Sequence, residues 1–121
     1  MSQKFTILFD LDGTLVNTAP DLMLAHNYVM KKYGYNERKL SDVKKLVGRG
    51  SKVMLTRSIQ EMAELSGKIK KSDDVIEEMT KEFIDYYSKN IVIESKLKDG
   101  LLNFLSWCKK NSISMGVCTN K

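Results

Sequence analysis

The stretch Leu8-Phe9-Asp10-Leu11-Asp12-Gly13-Thr14 decides the fold of this chain and points to its chemistry. An apolar run over residues 5–9 precedes the two carboxylates and a glycine follows them, which predicts a short buried strand that ends in a turn. Because side chains alternate along a strand, Asp10 and Asp12 are expected to point the same way. Two like charges so close are tolerated when a divalent cation lies between them, or when one of them holds a proton.

This acid pair suits phosphoryl transfer. The carboxylate of Asp10 can attack phosphorus and form an acyl phosphate, which splits one difficult displacement into two easier ones. Asp12 can donate a proton to the leaving oxygen and later take one from water. Magnesium would screen the charge between Asp10 and the phosphate. Gly13 permits a tight turn whose backbone N–H groups could hold phosphate oxygens. The competing interpretation is two solvated aspartates in a turn.

Composition limits the class of protein. The chain has 121 residues, of which 42% are hydrophobic and 29% are charged, values typical of a soluble globular protein. Its net charge of +5 comes largely from lysines spread along the chain, so a solvated surface is favoured over attraction to anionic substrates, and nucleic-acid binding is the weakest alternative. No apolar run is long enough to span a bilayer, and Asp10 interrupts the first one, so we expect neither a membrane partner nor a signal peptide. We interpret Cys108 and Cys118, both in apolar contexts, as reduced core residues of a cytoplasmic protein.

The remaining sequence predicts several helices and then a second strand. Pro20 and Gly34 bracket the first helix, whose apolar stripe includes Leu22, Ala25 and Val29. Ser41 is the predicted cap of a short second helix, and a third ends near residue 67. The fourth opens with a capping box at Asp74 and Glu77, and the fifth is capped by Asp99. The second strand covers residues 113–118. The last helix and strand are typical of half a parallel crossover, and the middle helices of an insertion.

Three further features, a residue pair, a loop and a histidine, are candidates for the site or for the core. Thr119 and Asn120 follow the second strand, and ligands gather at the carboxyl ends of parallel strands, so this pair could bind a phosphate oxygen. Arg49 lies between Gly48 and Gly50, in a loop that either carries it towards an anion or merely links two helices. His26 lies within a helix and has no partner for metal binding or catalysis nearby in sequence, so a packing or surface role is favoured.

At this point the sequence resembles a known family. Residues 9–15 (FDLDGTL) resemble the first motif of the haloacid dehalogenase superfamily, and Asp12 favours its phosphatase and phosphomutase members. Residues 16–22 (VNTAPDL) are similar to the VDSAPDL stretch of the phosphoglycolate phosphatases. Residues 47–50 (VGRG) resemble the cap loop of those enzymes, and residues 117–121 (VCTNK) resemble their second motif.

The resemblance implies an α/β fold, in which a partial Rossmann-like parallel-sheet core carries an inserted α-helical cap, so that this chain is mostly helical. Residues 1–16 and 92–121 would form the incomplete core, and residues 17–91 the cap. Asp10 would be the nucleophile and a Mg²⁺ ligand, and Asp12 would be the acid/base and a ligand through its backbone carbonyl. Thr119 would bind the phosphate with Asn120 beside it, and the 48–50 loop would help to select the substrate.

The implied activity is Mg²⁺-dependent hydrolysis, through an aspartyl phosphate, of a small phosphorylated metabolite such as 2-phosphoglycolate. The family's third-motif lysine and fourth-motif acids would lie beyond Lys121, so we expect the 121-residue chain to be weak or inactive alone. Loss of one preorganised cation typically costs about 3 kcal/mol or more in transition-state stabilisation. Two alternatives stay open. One is a phosphatase or phosphomutase for another metabolite, and the other is a non-catalytic helical fragment that self-associates through exposed core edges.

Overall fold

The structure is a computed structural model that describes residues 4–67, 71–91 and 93–119. It is an α/β fold in which two short pairs of strands flank a group of helices, as the resemblance predicts. The elements in chain order are β1 (Thr6–Phe9), β2 (Val16–Asn17), α1 (Ala19–Lys32), α2 (Leu40–Leu46), α3 (Ser51–Ser66), α4 (Asp73–Lys89), β3 (Lys96–Leu97), α5 (Leu101–Lys110) and β4 (Ser114–Val117).

The first and last strands form a parallel pair. Thr6 pairs with Ser114 at one end of the ladder, and Phe9 pairs with Val117 at the other. Helix α5 leads into β4 and packs against the pair, with the ring of Phe104 edge-on to that of Phe9 at a centroid distance of 6.1 Å. The predicted half of a parallel crossover is therefore confirmed.

A second, antiparallel ribbon pairs the segment before α1 with the segment after α4. Val16 pairs with Leu97, and Asn17 pairs with Lys96. The Lys98 N–H also donates to the carbonyl of Leu15 at 3.0 Å. Sequence analysis missed both strands, because two residues are too few to show a period-2 pattern. The ribbon lies where the chain leaves for α1 and where it returns.

The four middle helices share one apolar core. The stripe predicted for the first helix is confirmed, since its aliphatic side chains face this core. None of the described helices is long and apolar enough to cross a membrane. The buried members of the core are Leu22, Ala25, Val29 and Met30 of α1, Tyr35 of the link that follows, Val43 and Leu46 of α2, Met54, Leu55 and Ile59 of α3, and Ile76, Met79, Phe83 and Tyr87 of α4.

The predicted helix caps are wrong in detail. Helix α4 begins at Asp73 after Ser72, so Asp74 lies inside the first turn and no capping box forms. Ser41 lies within α2 rather than before it. Helix α5 follows Gly100, whose left-handed backbone (φ +79°) makes it the cap position in place of Asp99. Acidic side chains in a first turn interact with the helix dipole without capping, and the sequence pattern does not separate the two arrangements.

The parallel pair is less covered than its sequence suggests. Cys108 is buried as predicted, whereas Cys118 is exposed and the prediction for it was wrong; both are free thiols. The apolar spacing of Leu101, Leu102, Leu105 and Cys108 predicts that all four are buried, but Leu102 is 65% exposed, and Leu8 of β1 is 70% exposed. The described part of the chain provides α5 and little else to pack against these strands, so apolar periodicity overestimates burial there.

Candidate active site

The acid pair lies just beyond the end of β1. The strand ends at Phe9, so strand alternation does not set the directions of Asp10 and Asp12, and their shared direction stays a prediction. Asp10 is exposed, and its Oδ1 accepts a hydrogen bond from the N–H of Leu11 at 2.9 Å. Asp12 is partly buried. Asp10 is therefore accessible to a ligand in solution.

A tight turn carries Asp12. The carbonyl of Leu11 accepts N–H bonds from Leu15 at 3.1 Å and from Val16 at 3.2 Å. Gly13 has φ +79°, a conformation that side chains disfavour, so its predicted role in the turn is confirmed. Its N–H donates to the carbonyl of Val16 at 2.8 Å, so in this structure that group stabilises the turn. Phosphate binding at Gly13 stays a prediction.

The carboxylate of Asp12 is held by a residue that sequence analysis missed. The Thr18 hydroxyl donates to Asp12 Oδ1 at 2.7 Å, and Thr18 is only 4% exposed. Thr18 directly follows β2 and precedes α1. A threonine before a helix is usually a capping residue, but Thr18 makes no side-chain cap bond. Its hydroxyl therefore links the segment that enters the helices to the acid/base candidate.

The second candidate group lies at the same edge of the sheet. The Cys118 N–H donates to the Phe9 carbonyl at 2.8 Å, which extends the pairing of β1 and β4 to their carboxyl ends. Thr119 directly follows Cys118 and is exposed. It therefore lies one residue beyond the bond to Phe9, the residue that directly precedes Asp10. Asn120 lies outside the described residues. The shared edge expected for the acid pair and Thr119 is present.

A cleft joins Asp12 to the helical part of the chain. Its volume is about 550 Å³, and the predicted loop lines it together with Asp12. Arg49 lies in this loop and is exposed, and Lys52, the second residue of α3, is a second cation of the lining that sequence analysis did not single out. Glycines on both sides of Arg49 have positive φ, +115° and +89°. The remaining lining residues are Leu22, Val47, Gly48, Gly50, Ser51, Met54, Phe83, Ile84, Tyr87, Ser88 and Ile91.

The oxygen atoms of the acid pair suit Mg²⁺, which keeps several water ligands, better than a metal ion whose ligands all come from protein side chains. Among residues 4–67, 71–91 and 93–119, no group of three or more His, Cys, Asp or Glu side chains could hold a metal ion. Asp10 provides an exposed carboxylate, and Asp12, two residues later, provides a backbone carbonyl. Mg²⁺ usually keeps several waters and takes one or two carboxylates together with phosphate oxygens, so these residues fit it.

His26 is a core residue, as the packing interpretation predicts. It is fully buried, with Nε2 2.8 Å from Ser58 Oγ and Nδ1 3.0 Å from Asn27 Oδ1. Burial, together with the positive charge of Arg38, lowers the pKa of His26 below its usual value, although the bond to Asn27 acts in the opposite direction. The imidazole is therefore neutral at pH 7 and ties α1 to α3.

Comparison with known proteins agrees with this arrangement. The family model described as haloacid dehalogenase-like hydrolase matches residues 7–121, and the chain belongs to this family. It is 37% identical over 117 residues to the phosphoglycolate phosphatase of Caulobacter vibrioides, and the aligned region is 96% of this chain and 47% of that protein. It is 34% identical over 125 residues to the phosphoglycolate phosphatase of Colwellia psychrerythraea, which covers 100% of this chain and 53% of that one.

A solved structure matches over the same extent. The chain superposes on a predicted phosphoglycolate phosphatase from Haemophilus somnus 129pt with a TM-score of 0.88 at 30% identity. That match covers 100% of this chain and 53% of the solved one. The chain therefore spans about half the length of the relatives it matches.

Proposed function

We propose that this chain carries the nucleophile and the acid/base of a Mg²⁺-dependent phosphomonoester hydrolase, similar to the phosphoglycolate phosphatases. One observation carries the proposal. Asp12 and Arg49, 37 residues apart in the sequence, line one cleft, and Asp10, two residues before Asp12, follows β1, whose parallel partner β4 leads to Thr119. Ligands of open parallel sheets bind at the carboxyl ends of the strands.

In the proposed reaction, Asp10 attacks the phosphorus atom and the bond from phosphorus to the ester oxygen breaks. Asp12 gives its proton to the departing alkoxide, so the alcohol leaves neutral. Water then attacks the aspartyl phosphate while Asp12 takes one of its protons, which regenerates the Asp10 carboxylate and releases inorganic phosphate. The Thr18 hydroxyl, 2.7 Å from Asp12 Oδ1, orients the acid/base in both steps.

Asp10, through its carboxylate, and Asp12, through its backbone carbonyl, would hold the Mg²⁺ ion. When bound, the ion lowers the repulsion between the attacking carboxylate and the anionic phosphate. Thr119 and Asn120 would bind the phosphate oxygens, and the N–H groups near Gly13 would add to them if the turn rearranges. The exposed position of Asp10 supports this assignment, because metal and substrate must reach it together.

The charge of the cleft supports a small acidic substrate. Arg49 and Lys52 line the cleft together with Asp12, and they would attract a second anionic group on the substrate. 2-Phosphoglycolate carries a carboxylate besides its phosphate and therefore matches this pattern. The names of the two bacterial relatives point to the same substrate class.

The division into two parts is also a proposal. We assign residues 17–91 to a helical cap and residues 1–16 and 92–121 to the core. The β2–β3 ribbon supports this division. Its strand Val16–Asn17 spans the first boundary, and its strand Lys96–Leu97 lies a few residues after the second. The shared core of α1–α4 supports it as well.

Phosphate release tests the function. Wild-type chain, Asp10→Asn and a control variant, Asp42→Asn, are incubated with Mg²⁺ and 2-phosphoglycolate. Typical enzymes turn over roughly 10 times per second, and we expect the 121-residue chain to be at least about a hundredfold slower, because preorganised cations of a complete site would be lacking. Asp10→Asn should remove the remaining activity and Asp42→Asn should keep it. Equal activity in wild type and Asp10→Asn would contradict the proposal.

A second candidate function is self-association without catalysis. Large apolar side chains are exposed on the parallel pair and on α5, among them Leu8, Val117 and Trp107. Exposed strand edges and apolar surface favour pairing with another copy. Light scattering would detect a dimer, and Leu8→Lys should abolish it while leaving Asp10-dependent phosphate release unchanged. A monomer at high protein concentration would exclude this function.

A further inference from the structure

The carboxylate of Asp21 connects two segments that are distant in sequence. Asp21 lies in the first turn of α1 and is 2% exposed. Its Oδ1 accepts the N–H of Glu94 at 2.7 Å, and its Oδ2 accepts the N–H of Ser95 at 3.0 Å and the Ser95 hydroxyl at 2.5 Å. The carboxylate of Asp21 therefore binds the segment that enters β3.

These bonds are made to a charged group. Burial alone would raise the pKa of Asp21, but the hydrogen bonds from Ser95 and Glu94 hold this pKa below its usual value. The carboxylate is therefore ionised at neutral pH, and hydrogen bonds to an ionised acceptor are stronger than bonds between neutral groups.

The location of these bonds makes them more than a local contact. The β2–β3 ribbon has two residues in each strand, and so short a ribbon is marginal by itself. Asp21 follows β2 by four residues, and Ser95 directly precedes β3. One carboxylate thus holds together the outgoing and the returning connections between the sheet and the helices.

The cleft depends on these same connections. Asp12 contributes to the cleft from the turn after β1, whereas Arg49 and Lys52 contribute from the helical side. Leu22, the neighbour of Asp21, also lines the cleft. A change in the angle at the two connections would change the separation of Asp12 from both cations.

We propose that Asp21 is a positioning residue, whose carboxylate holds residues 94–95 on α1 and so fixes the helices at one distance from Asp12. For its effect on catalysis the proposal rests on the proposed function. The bonds and the distance they set can be measured without any turnover.

Two variants and a matched control isolate the effect. Asp21→Asn places an amide NH₂, which cannot accept a hydrogen bond, near donors that bond to a carboxylate oxygen in the wild type, and Ser95→Ala removes only the hydroxyl bond. Asp74→Asn is the control, because it makes the same chemical change in the exposed first turn of α4. The first readout is amide hydrogen exchange of Glu94 and Ser95. The second is the distance distribution between spin labels on exposed Cys118 and on Gln60→Cys of α3, which crosses the connections, while buried Cys108 escapes labelling.

We expect both amides to exchange roughly tenfold faster or more in Asp21→Asn, the factor for about 1.4 kcal/mol of lost hydrogen bonding. The distance distribution should broaden in Asp21→Asn, broaden less in Ser95→Ala, and stay narrow in Asp74→Asn. If Asp21→Asn fails to fold, Ser95→Ala alone decides.

Unchanged exchange and an unchanged distribution would overturn the proposal. So would a lower melting temperature with an unchanged distribution well below melting, because a residue that only stabilises the fold gives that result. Phosphate release that persists in Asp10→Asn would contradict the proposed function, but would leave these two readouts as they are.

Discussion

The bond between Thr18 and Asp12 makes the sharpest prediction from this site. Thr18→Val removes the hydroxyl that donates to Asp12 Oδ1 at 2.7 Å and leaves a side chain of nearly the same shape. Thr18 is 4% exposed, so water cannot easily replace the hydroxyl at its own position. The variant therefore reports on one hydrogen bond to the acid/base candidate.

The magnitude follows from the charge and burial of the partners. Hydrogen bonds to charged groups contribute about 1.5–3 kcal/mol to stability. Asp12 is only partly buried, so water can solvate its carboxylate in the variant and offset part of the loss. We therefore expect the free energy of unfolding to fall by an amount at the lower end of that range, about 1.5 kcal/mol.

Urea unfolding followed by circular dichroism measures this change. Thr56→Val is the matched control, since the Thr56 hydroxyl donates at the same 2.7 Å to a neutral helix carbonyl of Lys52 and is solvent-exposed. Its cost should stay within about 0.5 kcal/mol. Repeating Thr18→Val in an Asp12→Ala background should recover a coupling of roughly 1 kcal/mol. Equal costs for the Thr18 and Thr56 variants, together with zero coupling, would refute the reasoning.

Three further predictions concern the turn, the core and the buried histidine. Gly13→Ala should destabilise the chain by about 1 kcal/mol, all of it from backbone strain at φ +79°, because an added Cβ meets nothing within 4 Å; thermal unfolding checks this, and an unchanged melting temperature would contradict it. Leu55→Ala should cost about 3 kcal/mol or more in urea unfolding, since Leu55 is fully buried, and a cost below that of a surface variant would be inconsistent with the core. The pKa of His26 in the folded chain lies below its unfolded value of about 6.5, so as pH falls below that value the unfolded chain binds a proton on His26 before the folded chain does, and stability falls. The urea midpoint should therefore change more between pH 7 and pH 5 in wild type than in His26→Gln. Equal changes in the two proteins would show that His26 does not titrate this way.

Much of the fold could be predicted from sequence, because a long helix contains enough turns for the repeat of its apolar residues to be recognised. The stripe of α1 and the apolar face of α4 are buried as their spacing indicates. Short features were beyond this kind of reasoning. The ribbon β2–β3 has too few residues for a pattern, and the caps depend on backbone geometry that several residue types could adopt.

The site was predicted in part for the same reason. The acids at positions 10 and 12 are recognisable from their spacing, and the structure places Asp12 in the lining of the same cleft as the loop that carries Arg49. Thr18 and Asp21 could not be found this way, since their roles depend on tertiary hydrogen bonds to Asp12 and to residues 94–95. The burial of Cys118 was overestimated because sequence does not reveal which strands receive a covering layer.

Binding of a phosphoryl mimic tests the central claim most directly, because it requires the acid pair and Mg²⁺ but no turnover. Beryllofluoride forms a tetrahedral adduct with a carboxylate, and fluorine NMR resolves the bound species from the free one. With Mg²⁺ present, we predict a bound signal for the wild-type chain and for the Asp74→Asn control, and none for Asp10→Asn. A wild-type spectrum without a bound species, or a bound signal that persists in Asp10→Asn, would contradict the assignment of Asp10 as the phosphorus-binding nucleophile.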